Sequence, residues 1–440
     1  MIEYIKKRKL FVMLIVFLFV LAPLSLIQKA ETDKVAVVTA IGLDLQEENI
    51  LLSANIVVPN SGAAGSGGGT DGTVKTVCVL GEDVSTAFTN LSILIGKMPG
   101  LAHCDAVVLN KELFKDNVTK YLDFFVRTNN LTSNANIIVA DKEARSVLET
   151  SAEQKGVRAV SLSKILLVNN EYTLGEEANI DTFYEKYFTK PSASILPVLN
   201  EGDSKVAEAQ TTGGDTEQNS GDNQQSGSNN QQSSGGQSTS SIGGSGGGKE
   251  QSASGRAEKI IKNNGQGVVV KNGQIKAVLD TNQMYDFNLI NPNTRKGHIR
   301  VSGVTGEGFS DATLLFEIFD KRNKNTGMFL GDVPVFNFGL DLIVKLEEVV
   351  MDNIGIDNMA VVKDYVVGNI RAELERQLSR QISVVVELAK DTNTDFLGVY
   401  NYFYKFYNKS WKKFLSGLDN PDDYLKHIVF TCDFDIEGKI

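Results

Sequence analysis

The sequence predicts an α+β protein in which an N-terminal membrane anchor or signal is followed by two or three mixed α/β domains with largely antiparallel sheets. Three observations predict this class: an apolar leader, a long polar stretch that divides the remaining chain, and strand-like runs that alternate with helical periodicity on both sides of that stretch. The expected segments are the leader (1–32), an N-terminal domain (33–200), a linker (201–258) and a C-terminal domain (259–440).

The leader joins a basic cluster at residues 6–9 to an apolar run from Leu10 through Phe17 to Leu26. A helix over that run would rise about 25 Å, slightly less than a hydrocarbon core of about 30 Å. The cations ahead of it favour a cytoplasmic N-terminus and translocation of everything that follows. Because the small residues are poorly spaced for signal peptidase, we expect an uncleaved signal anchor. A cleaved secretory signal and a buried core helix are the alternatives.

The composition narrows the possible partners and chemistry. The net charge of the chain is −10, which disfavours nucleic acid and anionic lipid as broad-surface partners. The three cysteines show no C-x-x-C spacing, so neither a disulfide framework nor a zinc site is predicted. We expect all three to be buried small hydrophobes, and a bridge between Cys78 and Cys104 is the alternative.

The polar stretch at residues 210–255 consists almost wholly of Gly, Ser, Gln, Asn, Thr and Asp, with Ile242 as its only large aliphatic residue. Such a stretch cannot offset the entropic cost of ordering by burying apolar surface. We interpret it as a flexible tether or an exaggerated loop rather than a binding region.

The N-terminal domain is predicted to alternate strands and helices. Residues 35–43 and 50–58 are expected to be neighbouring antiparallel strands joined by an acidic turn. Asp83 or Ser85 can cap the helix that follows the third strand. The further predicted elements are strands at 74–80, 106–109 and 135–140 and helices at 83–95, 117–125 and 144–153. This alternation predicts a sheet covered by helices.

The C-terminal domain begins with Asn272-Gly273 between two apolar runs, a pattern that predicts a tight β-hairpin. A long helix is predicted over about 358–388, capped by Asp357, with an apolar stripe that we assign to the core. The other predicted elements are strands at 297–301, 313–320, 335–346 and 427–434 and an aromatic amphipathic segment at 400–415.

Several segments resemble, in the same order, the Ger(x)C family of spore germination proteins, the C subunits of germinant receptors. The first runs from Ala36 to Asp44 and the last from Phe434 to Gly438. The matching segments between them are Leu101-Ala102-His103, Leu122 to Arg127, Gly267 to Leu279, Phe396-Leu397-Gly398 and Trp411-Lys412. The resemblance assigns structural or partner-facing roles to Thr39, Gly42, Asp44, His103, Asp123, Arg127, Trp411 and Gly438.

One departure from the family concerns membrane attachment. Family members usually carry a lipid-bearing cysteine at the end of the leader, but that position falls on Leu26 here, and the Trp-Asp that follows is replaced by Ile27-Gln28. A diacylglycerol cannot be attached without the thiol. We expect a transmembrane helix to serve instead, since a spanning helix holds more firmly than one or two acyl chains.

The resemblance implies a non-enzymatic subunit of a nutrient germinant receptor complex involved in spore germination. Such a subunit would sit at the outer face of the spore inner membrane, anchored by its N-terminal helix, and would scaffold or couple an A-type and a B-type membrane subunit. No nucleic acid partner is implied. A free extracytoplasmic protein that binds a small ligand between its two units is the alternative.

The residues themselves predict no catalytic, metal or cofactor site. None of the three histidines lies in H-E-x-x-H, and no G-x-S-x-G sequence is present. His103 and Asp105 could form a dyad, but a structural role for this histidine is favoured. Asp123 and Arg127 are four residues apart on a predicted helix, which favours a local salt bridge over a ligand site. Trp411 is expected to anchor packing, with a partner-facing hot spot as the alternative.

Overall fold

The computed structural model describes residues 34–58, 73–127, 131–153, 161–171, 178–203, 259–294, 296–307, 309–351 and 356–439. In these ranges, strands form two sheets and helices cover their faces. The predicted anchor positions Leu10, Phe17 and Leu26 lie outside the described residues, as do the whole polar stretch at 210–255 and the loop that follows the second strand. No described helix is both long enough and apolar enough to span a bilayer.

The first sheet has ten strands, and it combines a parallel centre with antiparallel flanks. The strands are β1 (Val35–Gln46), β2 (Asn49–Val58), β3 (Thr73–Gly81), β4 (Met98–Gly100), β5 (Ala106–Asn110), β6 (Asn136–Ala140), β7 (Ala193–Asp203), β8 (Lys259–Lys262), β9 (Gly267–Lys271) and β10 (Gln274–Leu279). Their order is β10-β9-β7-β6-β5-β1-β2-β3, with β4 beside β1 and β8 beside β7.

Antiparallel pairs outnumber parallel pairs among the described strands, as predicted. The parallel run through β1, β5, β6 and β7 was not foreseen. Parallel neighbours need long crossover connections, and helices supply them between β5, β6 and β7. The N-terminal sheet is therefore mixed, with its most buried strands in the parallel centre.

In the part of the chain that the structure describes, five α-helices cover the two faces of this sheet. They are α1 (Val84–Ile95), α2 (Thr119–Arg127), α3 (Ala144–Glu153), α4 (Leu162–Glu171) and α5 (Ile180–Phe188). Residues of α1, α2 and α5 pack on one face, whereas α3 and α4 pack on the other. Asp83 caps α1 by accepting a hydrogen bond from the backbone nitrogen of Thr86 at 2.7 Å, and the helix ends at Gly96, whose φ of 65° suits glycine.

The predicted hairpin at Asn272-Gly273 is confirmed. Both residues have positive φ, 55° and 76°, as a two-residue turn of this kind requires. The turn packs against the N-terminal half of the chain, because a Cβ added to Gly273 would lie 2.0 Å from the Asn117 Oδ1 atom. The hairpin strands β9 and β10 thus extend the sheet that the N-terminal half begins.

The sheet crosses the predicted boundary between the two domains. β7 bonds to β6 on one side, and it also bonds to β8 and β9, which come after the polar stretch. Ile195 of β7 and Val269 of β9 belong to the same apolar core as the C-terminal elements. The domain bounds at 33–200 and 259–440 stay predictions, and the two halves share both backbone pairing and a core.

A second sheet of five strands forms the C-terminal half. The strands are β11 (Gly297–Gly306), β12 (Phe309–Asn323), β13 (Thr326–Leu330), β14 (Val333–Val350) and β15 (Val429–Lys439), in the order β11-β12-β14-β13, with β15 parallel to β14. The α-helices of this half are α6 (Thr281–Ile290), α7 (Ile356–Asp391), α8 (Val399–Phe406) and α9 (Asn408–Ser416).

The predicted long helix α7 is confirmed, and its apolar stripe packs in the core. The six stripe residues are all buried: Val362, Val366, Ile370, Leu374, Leu378 and Ile382. The helix begins at Ile356, so Asp357 lies inside its first turn and the predicted cap position was wrong. The aromatic segment forms two helices that meet at Tyr407, and the last strand begins two residues later than expected because a 3-10 helix at Pro421–His427 precedes it.

The three cysteines are free thiols, so the alternative of a Cys78–Cys104 bridge was wrong. Cys104 is buried, whereas Cys78 and Cys432 are half-buried. Cys78 lies in β3, where its sulfur accepts a hydrogen bond from the Ser53 hydroxyl.

Candidate functional site

The motif residue Asp44 joins β1 to helix α3. Its Oδ1 atom accepts hydrogen bonds from the backbone nitrogen of Ala144 at 2.8 Å and from the Asn110 amide at 2.9 Å, and its Oδ2 atom accepts one from the backbone nitrogen of Arg145 at 2.9 Å. The carboxylate is 4% exposed. An acidic group here satisfies amide groups that the first turn of a helix leaves unpaired, and it complements the helix dipole. The Asp44 carboxylate therefore joins β1 to the first turn of α3 and to Asn110 at the end of β5.

Gly42 serves the same contact between β1 and α3, whereas Thr39 of the same strand joins β1 to β2. A Cβ added to Gly42 would lie 3.2 Å from Leu148 Cδ1 and 3.3 Å from Ala144 Cβ, so the missing side chain lets α3 approach the sheet closely. The Thr39 hydroxyl donates to the carbonyl of Asn55 at 3.4 Å. Gly42 and Asp44 together therefore determine how closely α3 packs on β1.

The motif residues Asp123 and Arg127 lie on the outer side of α2, where they line an open cleft of about 610 Å³. We call this the acidic cleft. It is bounded by the β1–β2 turn (Leu45, Glu48, Ile50), the start of α1 (Glu82, Asp83, Val84, Ser85) and the face of α2 (Lys120, Tyr121, Asp123, Phe124, Arg127). The Arg127 Nε atom lies 2.5 Å from Asp123 Oδ2, which agrees with the predicted local salt bridge.

The charges of the acidic cleft do not balance. Both cations are engaged by carboxylates, Lys120 by Asp116 at 2.7 Å and Arg127 by Asp123 at 2.5 Å. Glu48 and Glu82 are exposed at the same rim. Asp83 also stays ionised, because the backbone N–H of Thr86 lowers the pKa of its carboxyl. The cleft therefore offers excess negative charge beside the rings of Tyr121 and Phe124, an arrangement that suits a cationic or amphipathic group.

His103 and Asp105 do not form a dyad. His103 is exposed in the turn after β4. The Asp105 carboxylate instead accepts a hydrogen bond from the Ser161 hydroxyl at 2.5 Å, and burial raises the pKa of that carboxyl. The backbone carbonyl of Asp105 accepts a hydrogen bond from Ser163 at 2.6 Å. Asp105 fastens the start of α4 to the sheet, and His103 is left outside this network.

Trp411 is a fully buried packing residue. Its ring stacks on Phe403 and Phe414, with centroids 5.1 Å and 5.3 Å away, and meets Tyr400 and Tyr424 edge to face. This geometry supports the packing role over the partner-facing alternative. Gly438 lies in β15 opposite Val344, where an added Cβ would meet nothing within 4 Å. No steric need for glycine exists at that position.

Three buried charged residues escaped the sequence analysis: Asp395, Lys321 and Asp286. Asp395 accepts hydrogen bonds from the Tyr424 hydroxyl at 2.8 Å and from the backbone nitrogens of Val399 and Tyr400 at 3.1 and 2.6 Å, so it caps α8. Burial raises the pKa of its carboxyl. A Thr-Asp pair just before a helical run is a capping signal that could have revealed it.

Lys321 is the second such residue. Its ammonium donates to the carbonyls of Asn288, Leu289 and Asn291 at 2.8, 3.0 and 2.8 Å, where α6 ends. Burial lowers the pKa of Lys321 to about 7, whereas the carbonyls at a helix C-terminus favour the charged form. A lone lysine in a strand gives no sequence signal for burial, because lysines in strands usually face solvent.

The described residues contain no group of three His, Cys, Asp or Glu side chains that could hold a metal ion. Gly42, Asp44 and Trp411 are buried, and Thr39 is half-buried. Asp123, Arg127 and His103 lie on the surface. Asp123 and Arg127 line the acidic cleft, which is large enough for a partner segment or ligand.

The comparisons with known proteins agree on one family. Residues 28–201 match the family model described as the spore germination protein N-terminal domain, and residues 264–437 match the model described as spore germination B3/GerAC like, C-terminal. Spore germination protein KC of Bacillus subtilis (strain 168) is 24% identical over 185 residues, which covers 40% of this chain and 46% of that protein. This match thus spans less than half the length of that relative.

A crystal structure of the GerBC protein aligns with 91% of this chain and 97% of that chain, at 14% identity and a TM-score of 0.45. The two family models together cover most of the sequence on both sides of the polar stretch. The chain belongs to the Ger(x)C family of spore germination proteins, the C subunits of germinant receptors.

Proposed function

We propose that this chain is a non-catalytic subunit of a nutrient germinant receptor complex, and that it scaffolds or couples the membrane subunits of that complex. Family membership in both halves of the chain supports a role in spore germination. Because the match to the B. subtilis relative covers 46% of that protein, the role is taken from the family as a whole.

The strand pairing around β7 is the observation that carries the proposal. Residues 193–197 of β7 pair with β9, and residues 200–203 pair with β8. In addition, the Lys271 ammonium at the end of β9 donates to the carbonyl of Asn393 beyond the end of α7 at 2.5 Å. A subunit that holds or couples others needs a fixed relation between its parts. A shared sheet, a shared core and this contact supply one.

The acidic cleft is the surface we propose for contact with an A-type or B-type membrane subunit. Its uncompensated carboxylates favour a partner segment that carries basic side chains, and its aromatic floor favours an apolar anchor beside them. Complementary charge would raise the rate of association more than the affinity. Nucleic acid is disfavoured as a partner by the same charges.

The location we propose is the outer face of the spore inner membrane. The apolar run at residues 10–26 supports attachment by a helix, and Leu26 stands where relatives carry a lipid-bearing cysteine. The basic cluster ahead of that run supports translocation of the remaining chain. Mass spectrometry of the mature N-terminus tests the anchor, since a start near residue 31 would mean that the leader is removed.

Deletion and complementation test the proposed function. A strain without this chain and without redundant receptors should form normal spores that fail to respond to particular nutrients. Complementation with Glu48→Lys plus Glu82→Lys should restore less of the response than wild type, because both charges at the cleft rim are reversed. Glu307→Lys plus Glu348→Lys, two reversals at exposed positions of the C-terminal half, is the matched control and should restore it fully. Normal germination of the deletion strain with every nutrient would contradict the proposal.

A free small-ligand-binding protein is the second candidate, and the volume of the acidic cleft favours it. The cavity between the two halves, beside Ile195 and Phe287, measures about 80 Å³. Small-molecule sites usually measure about 300–1,000 Å³, so the acidic cleft fits a ligand better than the space between the units. A thermal shift of the full chain with one nutrient alone would favour this candidate, and no shift with any nutrient would favour the scaffold.

A further inference from the structure

Three large apolar side chains project into solvent where α1 ends and the chain turns into β4. Ile93 is 73% exposed, Leu94 is 61% exposed and Met98 is 64% exposed. The opposite side of α1 is buried against the sheet, so these side chains belong to no core of the described structure. Contiguous exposed apolar groups of this size mark contact sites on soluble surfaces.

The exposed turn lies beside the start of β1. Met98 is the register partner of Val35, the first residue of β1, in a parallel pair. Neighbours in register point to the same face of a sheet, and Val35 is itself 39% exposed. We call this surface the apolar tip, and it consists of Lys34, Val35, Ile93, Leu94, Lys97 and Met98.

The charge of the apolar tip differs from that of the chain. Lys34 and Lys97 are exposed, and residues 34–38 and 90–103 contain no Asp or Glu, although the chain carries a net charge of −10. Glu31 and Asp33 precede the tip in the sequence and weaken its positive field. The apolar side chains therefore supply the main attraction, and the lysines make the tip compatible with anionic headgroups.

The sequence limits how far the apolar tip can lie from the apolar leader. From Leu26 to Lys34 the chain advances eight residues, which span at most about 27 Å when fully extended. If the leader crosses the bilayer, the tip is tethered within that distance of the membrane surface. No comparable restraint acts on the exposed apolar residues of the second sheet.

We propose that the apolar tip inserts into the headgroup region of the bilayer and so fixes the orientation of the first sheet on the membrane. This inference rests on the proposed membrane attachment. A lipid surface accepts apolar side chains on a convex turn without a complementary shape. A stable protein interface needs about 800 Å² from each partner, far more than three side chains provide.

The orientation has a consequence for the acidic cleft. The β1–β2 turn that borders the cleft is at the opposite end of β1 from Val35, eleven residue steps away, or about 36 Å along the strand. With the tip in the headgroups, the cleft faces away from the bilayer. A partner would then contact the cleft with a part that lies outside the membrane.

A fluorescence experiment on the full chain tests the inference. In a Cys78→Ala, Cys432→Ala background, which keeps the buried Cys104, an environment-sensitive dye is attached to Leu94→Cys or to Leu330→Cys. Leu330 is the matched control, since it is 62% exposed on β13 of the second sheet. The labelled chain is reconstituted into phosphatidylethanolamine and phosphatidylglycerol vesicles that contain a lipid-borne quencher. Carbonate extraction reports separately whether the chain is anchored.

Insertion predicts a blue shift and strong quenching at position 94 and neither at position 330, because an inserted side chain lies about 5–10 Å into the interface. Leu94→Cys combined with Met98→Glu should lose most of the quenching. Equal signals at both positions, or no quenching at position 94 in a carbonate-resistant chain, would overturn the inference but leave the anchor intact. Loss of the chain to carbonate would instead contradict the membrane attachment. Protection of the dye only after co-reconstitution with membrane subunits would mean that a protein covers the tip.

Discussion

Asp203 and Lys259 are register partners: the last residue of β7 lies directly opposite the first residue of β8. Residues 204–258 therefore connect two neighbouring positions of one antiparallel pair, as the loop of a hairpin does. The stretch that divides the sequence does not divide the sheet. Of the two sequence interpretations, the strand pairing favours an exaggerated loop over a tether between separate domains.

Shortening this loop should leave the protein folded. We expect replacement of residues 206–256 by Asn-Gly to raise the free energy of unfolding by about 2 kcal/mol, because the entropic cost of closing a loop grows with the logarithm of its length. Urea unfolding followed by circular dichroism measures the change. A Gly-Ser replacement of the original length is the control and should change little. Two separate unfolding transitions in the shortened protein would contradict the pairing.

Removal of the Asp44 carboxylate should destabilise the first sheet. Asp44→Ala removes the cap of α3 and leaves the Asn110 amide without its acceptor, so we expect a loss of about 2 kcal/mol. Asp116→Ala, at a carboxylate whose side chain is 71% exposed, is the control and should change stability by less than about 0.5 kcal/mol. Equal losses in the two variants would show that Asp44 is not a cap.

Two glycines on strands should tolerate valine differently. Gly42→Val should cost about 1–3 kcal/mol, since its side chain would press on Ala144 and Leu148 in a packed face. Gly438→Val should be close to neutral, because nothing lies within 4 Å of its added Cβ. Thermal unfolding of both variants measures the difference. A larger loss at Gly438 than at Gly42 would contradict the steric account of both positions.

The carboxyl of Asp286 should make stability depend on pH. Burial raises the pKa of Asp286 to about 7 in the folded protein, while an amide contact from Gln381 partly offsets that rise. Since the folded pKa lies above the ordinary value of 3.8, the folded state holds a proton that the unfolded chain has lost. The associated stability is present below about pH 4 and is lost as the pH rises to about 7.

Asp286→Asn should remove that loss and raise stability at pH 8 by about 2 kcal/mol relative to wild type. The asparagine amide can also donate to the Gln381 Oε1 atom, which has no hydrogen-bond partner in the described structure. Urea unfolding at pH 5 and pH 8 measures the effect, with Asp419→Asn as an exposed control. An unchanged dependence on pH in Asp286→Asn would refute the assignment.

Truncation of Trp411 should destabilise the folded protein through the loss of packing alone. Trp411→Ala empties the centre of an aromatic cluster and should lower the free energy of unfolding by about 3–5 kcal/mol. Phe406→Ala, at a ring that is 59% exposed on the neighbouring helix, should cost much less. Because Trp411 is the sole tryptophan, its emission should be blue and protected from iodide. A red, quenchable emission would favour the partner-facing role.

Local sequence patterns predicted most of the elements. Asp83 before an apolar run marked the start of α1, and Asn272-Gly273 marked the hairpin, since capping and turn conformations depend on neighbouring residues. The apolar residues of α7 recur with the period of a helix, and this spacing predicted which face of the helix is buried. The strands β4, β7, β8 and β13 and the helices α4, α5 and α6 were missed. The three residues of β4 carry too little pattern, and the almost wholly buried helix α6 shows no amphipathic face.

The roles of the site residues were less accessible to sequence reasoning. The pairing of Asp123 with Arg127 followed from helical spacing, but the acidic cleft requires α1, α2 and the β1–β2 turn to meet. Asp44 accepts a hydrogen bond from Ala144, one hundred residues away, and nothing in the sequence around either residue predicts this contact. The buried ammonium of Lys321 is likewise explained only by the end of α6, which supplies its three acceptors.

The sequence by itself determined most of the elements, the dividing polar stretch, the apolar leader and a motif order characteristic of one family. These features depend on residue type and local spacing. Only the tertiary structure decided that β8 and β9 complete a sheet begun before the polar stretch, and that β1, β5, β6 and β7 run in parallel. Strand period specifies which face of a strand is buried, but it carries no information about the strand's partner. The choice of partner strands follows from the apolar surface that the two halves of the chain bury together, although residues 204–258 separate those halves in the sequence.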